Sequence, residues 1–306
     1  RRGSRHRTPL EGRRHNNMLG TKGKRQMPAV LPGDFDGLEL LSYGDQPYQF
    51  GPWDNAPIVI ESHKLLFWTT PKVACTVWKK LFRRMEGYSD WQVENDNLPH
   101  SPYTNGLNYL YHYKPAQADL MLTDPSWTRA IFVREPKERL LSAYLDKVVG
   151  NHSYYLRKHC CKVTTIEEIL QCDVFHRIPS PSPSLRDPAV SFTEFLGPVY
   201  KECVDPHWRP QAKRMPAKYW SYINFVGHLD HGVEKDAQRL LTQIGAWDDY
   251  GANGWPSGSI FANNHAHHAT AAKDNVVHYY TPELERVAET LHKIDYMHPK
   301  LGFRNE

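Results

Sequence analysis

The chain has 306 residues, 40% of them hydrophobic and nine of them tryptophan, enough to bury a sizeable core in one large domain or two smaller ones. Its formal charge of +4 conceals an imbalance: residues 1–25 hold nine Lys or Arg against the one acid Glu11, a net +8, which leaves −4 for the remainder. A basic tail on a mildly acidic body argues against a nucleic-acid-binding domain, and no apolar run is long enough to span a bilayer.

Residues 1–27 include Gly3, Ser4, Gly12, Gly20 and Gly23 and almost no apolar side chains, a composition that predicts a disordered basic stem or tail. Residues 28–306 are left as the folded domain. Leu65, Leu66, Phe67 and Trp68 form an apolar, aromatic run that predicts a buried strand. Thr70 to Thr76 follow, and then Val77, Trp78, Leu81, Phe82 and Met85 recur at the spacing of one helical face, with Gly87 positioned to end the helix. A strand, a short loop with one lysine and one threonine, and a helix are how α/β proteins hold a phosphate. Loop amides and the helix N-terminus point at the anion, and the lysine neutralises it. The plainer reading is a core strand and core helix with a solvated lysine between them.

Residues 88–128 are rich in aromatic and polar side chains with little periodicity, and carry His100 and His112. Arg129–Arg134 predicts a second strand, and Glu135-Pro136 opens a helix whose buried stripe is Leu140, Leu141, Tyr144, Leu145 and Val148, ended by Gly150. Arg134 falls at the strand's carboxyl end, and Ser142 lies about two helical turns further on, where a hydroxyl could share an anion with it. An arginine in a surface ion pair is the plainer alternative.

Residues 151–190 read as an irregular insert, with a short capped helix at Thr164–Leu170 and a loop of four prolines from Pro179 to Pro188. Cys75 lies in the anion loop and is expected unpaired, leaving Cys160, Cys161, Cys172 and Cys203 with three pairings. Their clustering fits a stapled insert in an oxidising compartment; four reduced, buried thiols are the alternative. Asn151-His152-Ser153 fits the glycosylation acceptor pattern.

Ser191–Leu196 reads as a short helix, and Tyr222–Val226 as a third core strand. Val233, Ala237, Leu240, Leu241 and Ile244 then form a helical stripe stopped by Gly245. Residues 246–278 are rich in Gly, Asn and His. The cluster His265, His267 and His268 lacks metal-site spacing and has no carboxylate nearer than Asp274, so no metal is expected. Thr281 caps a last helix in which Leu284, Val287, Ala288, Leu291 and Ile294 should be buried. The fold class is α/β: a parallel sheet flanked by helices, in one domain with irregular inserts and ligands at the carboxyl ends of its strands.

Two stretches carry a resemblance. PKVACTVWKK, from Pro71, resembles the 5′-phosphosulfate loop, and FVREPKERLLSAYLDK, from Phe132, resembles the 3′-phosphate motif, of Golgi carbohydrate sulfotransferases. The similar group holds the chondroitin and dermatan 4-O-sulfotransferases and the natural-killer-epitope sulfotransferase. Asp205–Pro210, Tyr222–Asp230, the acidic helix start at Glu234 and Tyr279–Phe303 follow the same order, so the resemblance covers about residues 64–303.

The resemblance implies a P-loop-like fold, with residues 28–306 as the catalytic domain. The implied co-substrate is 3′-phosphoadenosine 5′-phosphosulfate, without a metal. Pro71, Lys72, the amides of Val73, Ala74, Cys75 and Thr76, and the Thr76 hydroxyl would hold the 5′-phosphosulfate. Arg134 and Ser142 would hold the 3′-phosphate, and a late polar loop with His268 and Thr270 would fold over the nucleotide. Lys72 would stabilise the leaving oxygen, and His112, ahead of His207 and His100, would be the general base. The implied acceptor is a glycan or other hydroxylated molecule. The implied address is the Golgi lumen, with a membrane anchor preceding Arg1. The alternatives are a nucleotide kinase, disfavoured because the loop lacks both glycines of GxxxxGK[ST], and an inactive glycan- or nucleotide-binding module.

Overall fold

The computed structural model of the protein describes residues 56–92, 97–102, 104–149, 190–203, 205–230, 232–256, 258–262 and 270–303. The tail at 1–27, Asn151, the helix at 164–170, the proline-rich loop at 179–188, Cys160, Cys161, Cys172 and the histidines 265, 267 and 268 lie outside the described residues.

A β-branched run makes strand β1 (Ile58–Ile60), which turns back through Glu61–His63 and a left-handed Lys64 (φ 46°) into β2 (Leu65–Trp68). Both strands are buried along their whole length, which is why neither alternates apolar with polar residues. Helix α1 (Cys75–Met85) buries Trp78, Leu81, Phe82 and Met85 of the stripe expected from spacing, while Val77 is half-buried against the core. It ends at Gly87 (φ 79°), where the Tyr88 amide donates to the Arg83 carbonyl at 3.0 Å. Strand β3 (Asn108–Tyr109), helix α2 (Pro115–Thr123) and strand β4 (Thr128–Val133) follow. Helix α3 (Pro136–Tyr144) continues into a wider helical turn at Leu145–Val149. Strand β5 (Phe225–His228) and helices α4 (Val233–Gln243), α5 (Ala272–Tyr279) and α6 (Pro282–Leu291) complete the elements that frame the site.

The sheet runs β3-β1-β2-β4-β5. Strands β2, β4 and β5 are parallel, with Leu65 opposite Thr128 and Ala130 opposite Phe225. Strand β1 runs antiparallel to both β2 and β3, so the sheet is mixed and the expectation of a parallel sheet holds for its β2-β4-β5 portion. Trp68, Val133 and His228, the last residues of the three parallel strands, therefore share one edge.

Two clusters of buried side chains hold the elements. In the first, Trp78 of α1 packs on Phe67 of β2 and Phe132 of β4, with ring centroids 4.9 and 4.5 Å apart. The second gathers Leu140, Leu141 and Tyr144 of α3 with Phe192, Phe195, Trp208 and Ala288. Three expectations need correction. The third core strand begins at Phe225, because Ala217–Tyr222 winds as a tight helix before it. In the last stripe, Ala288 is buried, but Val287 and Ile294 are 39% and 44% exposed, the latter because a new short helix starts at Lys293. The stretch 246–278 holds the helix α5 rather than loop alone.

Candidate functional site

Beyond Trp68 the chain crosses the carboxyl edge of the sheet as an irregular loop, Thr69–Ala74, and enters α1. Lys72 (φ 65°) and Ala74 (φ 51°) both sit in the left-handed region, where a side chain is uncommon and such backbone costs on the order of 1 kcal/mol per residue. The Val73 amide donates to the Thr70 carbonyl at 3.2 Å, closing the turn. Ala74, at the N-cap of α1, offers no side-chain acceptor to the first-turn amides. The Thr70 hydroxyl is buried, with no hydrogen-bond partner among the described residues. By contrast α3 is capped by Glu135, which accepts from the Glu138 amide at 2.8 Å, and α6 by Thr281.

Lys72 reaches toward α3. Its ammonium lies 2.8 Å from Asp146 in the wider turn, and both side chains are largely buried. Burial pushes the lysine pKa down, opposed by the Asp146 charge. Burial alone would raise the Asp146 carboxyl, but Lys72 and then Lys147, at 3.2 Å, hold it well below the usual carboxylate range. Both shifts are downward: burial disfavours the charged lysine, the neighbouring ammonium groups favour the charged carboxylate, and at 2.8 Å the attraction of the ion pair prevails. A carboxylate is itself an anion, so the ammonium already sits as an anion-binding group does.

Arg134, at the end of β4, donates from Nη1 to the Lys72 carbonyl at 3.5 Å and from Nε to Glu138 at 3.3 Å. Burial lowers its pKa, offset by Glu138. Ser142, one face of α3 away, is buried, and its hydroxyl accepts from the Thr270 hydroxyl at 2.9 Å. Arg134 thus joins the Lys72 backbone, and Ser142, on the helix that follows β4, joins Thr270; His268 lies outside the described residues. Thr76 shares a hydrogen bond of 2.9 Å with His100 Nε2. His112 follows β3, two strand spacings or about 10 Å across from β2. Its Nδ1 accepts the Tyr109 amide at 3.2 Å, so the neutral ring carries its proton on Nε2. In His207, Nδ1 lies 2.6 Å from the buried Asp205, an arrangement that makes Nε2 the proton-accepting nitrogen.

Four residues that contact these loops escaped the sequence reading: Arg139, Asp146, Gln211 and Arg214. Arg139 is 1% exposed and donates to the carbonyls of Pro71, Pro206 and Arg209 at 2.9, 2.6 and 2.7 Å. Arg214 donates to the Thr69 carbonyl at 2.6 Å. The Gln211 amide grips the Arg134 backbone twice, accepting from its N–H at 2.9 Å and donating to its carbonyl at 2.7 Å. One signal was available: Arg139, Ser142 and Asp146 are spaced three and four apart, polar residues aligned along one face of the helix and the turn that continues it.

Cys75 is a free thiol at the start of α1. Cys203 is buried and disulfide-bonded to a partner outside the described residues. Among the described residues, no group of three or more His, Cys, Asp or Glu is arranged to hold a metal ion, and no helix is long and apolar enough to cross a membrane.

The sulfotransferase family profile matches residues 56–297. The chain is 26% identical over 261 residues to human carbohydrate sulfotransferase 9, covering 78% of this chain and 51% of that protein. It is 38% identical over 197 residues to carbohydrate sulfotransferase 10 of Danio rerio, covering 61% and 52%. It is 28% identical over 194 residues to human carbohydrate sulfotransferase 14, covering 62% and 46%. The chain thus spans about half the length of these relatives. No solved structure matches it.

Proposed function

The chain belongs to the sulfotransferase family, and from that premise we propose that it moves a sulfuryl group from 3′-phosphoadenosine 5′-phosphosulfate to a glycan hydroxyl. The observation that carries the reading is the meeting of Lys72 and Arg134 at the carboxyl edge of the parallel strands, beside the Ser142–Thr270 hydroxyl pair. A donor with two separated anions needs two cationic sites, and each arm of this arrangement supplies one. The residues fit an anionic ligand in three further respects: α1 has no side-chain cap, the Thr70 hydroxyl is buried without a partner among the described residues, and Lys72 already faces a carboxylate.

In this reading Lys72, the amides of Ala74 to Thr76 and the Thr70 and Thr76 hydroxyls hold the 5′-phosphosulfate in a P-loop-like turn that the Val73 amide closes through its bond to the Thr70 carbonyl. Pro71 shapes that turn, and Arg134, Ser142, Thr270 and His268 hold the 3′-phosphate. The acceptor oxygen forms its bond to sulfur as the bond from sulfur to the bridging phosphate oxygen breaks. That oxygen leaves with the electron pair, stabilised by the Lys72 ammonium. The acceptor's proton passes to a histidine. His100, already bonded to Thr76, takes precedence over His112, whose neutral ring carries a proton on Nε2; His207, oriented by Asp205, is next. No step calls on a metal. Cys203 would pair with one of Cys160, Cys161 and Cys172, as suits a lumenal Golgi enzyme.

Thermal melting tests the donor assignment. The product 3′-phosphoadenosine 5′-phosphate, at a hundred times its Kd, should add about 2.7 kcal/mol of stability, while ATP with magnesium should shift the midpoint far less. The reverse order would favour a nucleotide kinase.

A further inference from the structure

We infer that Asp205–Arg214 is a brace that fixes the spacing between the two anion loops, with Arg139 and Gln211 as positioning residues. The inference deepens the donor-site reading and rests on it for its ligand. The loop after β2 has no ladder to hold it. It carries left-handed backbone at Lys72 and Ala74, and only the Thr70–Val73 turn ties it to itself. Its Thr69 and Pro71 carbonyls are taken by buried guanidinium groups, from Arg214 at 2.6 Å and Arg139 at 2.9 Å.

The two remaining arms of Arg139 reach the Pro206 and Arg209 carbonyls, so one rigid fork joins the lysine loop to the 205–214 segment. Two residues past Arg209, Gln211 takes both backbone groups of Arg134 as a neighbouring strand would. The segment is anchored in turn by Asp295, fully buried, whose two oxygens accept the amides of Gln211 and Ala212 at 2.9 and 2.7 Å. The path from lysine loop to arginine is therefore Pro71 carbonyl, Arg139, the 206–211 backbone, Gln211 and Arg134. The two side chains that carry it, Arg139 and Gln211, are both buried.

Arg139 touches only carbonyls at hydrogen-bond distance, and burial lowers its pKa to about 10, so it stays charged at neutral pH. Burying a cation against neutral acceptors is costly. An apolar side chain there would leave three carbonyls unpaired, and a lysine could not span all three. Spacing matters because a ligand with two anions gains over either anion alone only when both sites are held at its own separation.

The test compares wild-type, Arg139→Lys and Gln211→Glu proteins. Arg139→Lys keeps the charge and loses the fork; Gln211→Glu keeps the acceptor for the Arg134 N–H and loses the donor. The first readout is amide hydrogen exchange without ligand. We expect residues 70–76 to exchange at least tenfold faster in Arg139→Lys, with α4 unchanged; a loop as protected as wild type overturns the brace. The second readout is affinity for 3′-phosphoadenosine 5′-phosphate against adenosine 3′-phosphate and adenosine 5′-phosphate. The bisphosphate's advantage over the better single phosphate should fall about tenfold in both variants, while the single phosphates shift by less than about threefold. An advantage kept in Arg139→Lys would mean that charge, not position, is what the arginine supplies, and would overturn the inference. If wild type does not prefer the bisphosphate, the donor reading fails, and the exchange measurement still decides the brace on its own.

Discussion

Thr70 and Asp146 each test a different side of the site at the scale of single residues. A buried hydroxyl without a partner costs stability, so the near-isosteric Thr70→Val should be neutral or stabilising by about 1 kcal/mol in urea denaturation. The same change should weaken the bisphosphate by about three- to tenfold, because one donor to the anion is lost. Asp146 sets a pH signature. Its folded pKa lies below the unfolded value near 3.9, so the stability it contributes is full above that value and is lost as pH falls toward the folded pKa. Asp146→Asn should therefore be less stable than wild type near pH 7, with the gap closing below about pH 4 in melts across pH. Lys72 has linkage of the same sign, since burial lowers its pKa too, but here the shift is a cost of burying the charged form. Its cost is present at neutral pH and is relieved only as pH rises through that lowered value. The positions of Lys72 and Arg134 just past strand ends, and of Ser142 about two turns along the helix that follows, could be read from strand-loop-helix spacing. Their partners could not, since Asp146 is 74 residues from Lys72 and Gln211 is 77 from Arg134, and no local pattern reports such pairs.

Among the elements, β2 with α1 and β4 with α3 follow from the sequence because long apolar stripes fix their period. Strands β1 and β3, three and two residues long, are too short to show one, and they supply the antiparallel edge. The shift of the third strand to Phe225 has a similar cause. Tyr222 and Ile223 lead without a break into Phe225 and Val226, so they read as strand, yet Ala217–Tyr222 is helical. Gly227 is where β5 approaches β4 most tightly: a Cβ there would lie 2.5 Å from the Phe132 ring. Phe132 in turn packs on Trp78, beneath the start of α1. Gly227→Ala should cost about 1–3 kcal/mol through overpacking, read as a lower urea midpoint at unchanged slope.

For the whole molecule, the parallel strands bring two loops, far apart in sequence, to one edge, and the segment after the insert ties them together. The −4 of the chain outside its basic tail explains why the overall charge is a poor guide to its ligand. In the proposed function an anionic donor would instead be met by a few buried cations in a local, low-dielectric setting. The most direct measurement is transfer of labelled sulfate from 3′-phosphoadenosine 5′-phosphosulfate across a panel of glycans, with wild-type and Lys72→Ala proteins of matched melting temperature. The account predicts label on at least one glycan with wild type and a loss of at least about a hundredfold with Lys72→Ala. Undiminished transfer by Lys72→Ala, or no transfer to any glycan by wild type, would contradict it.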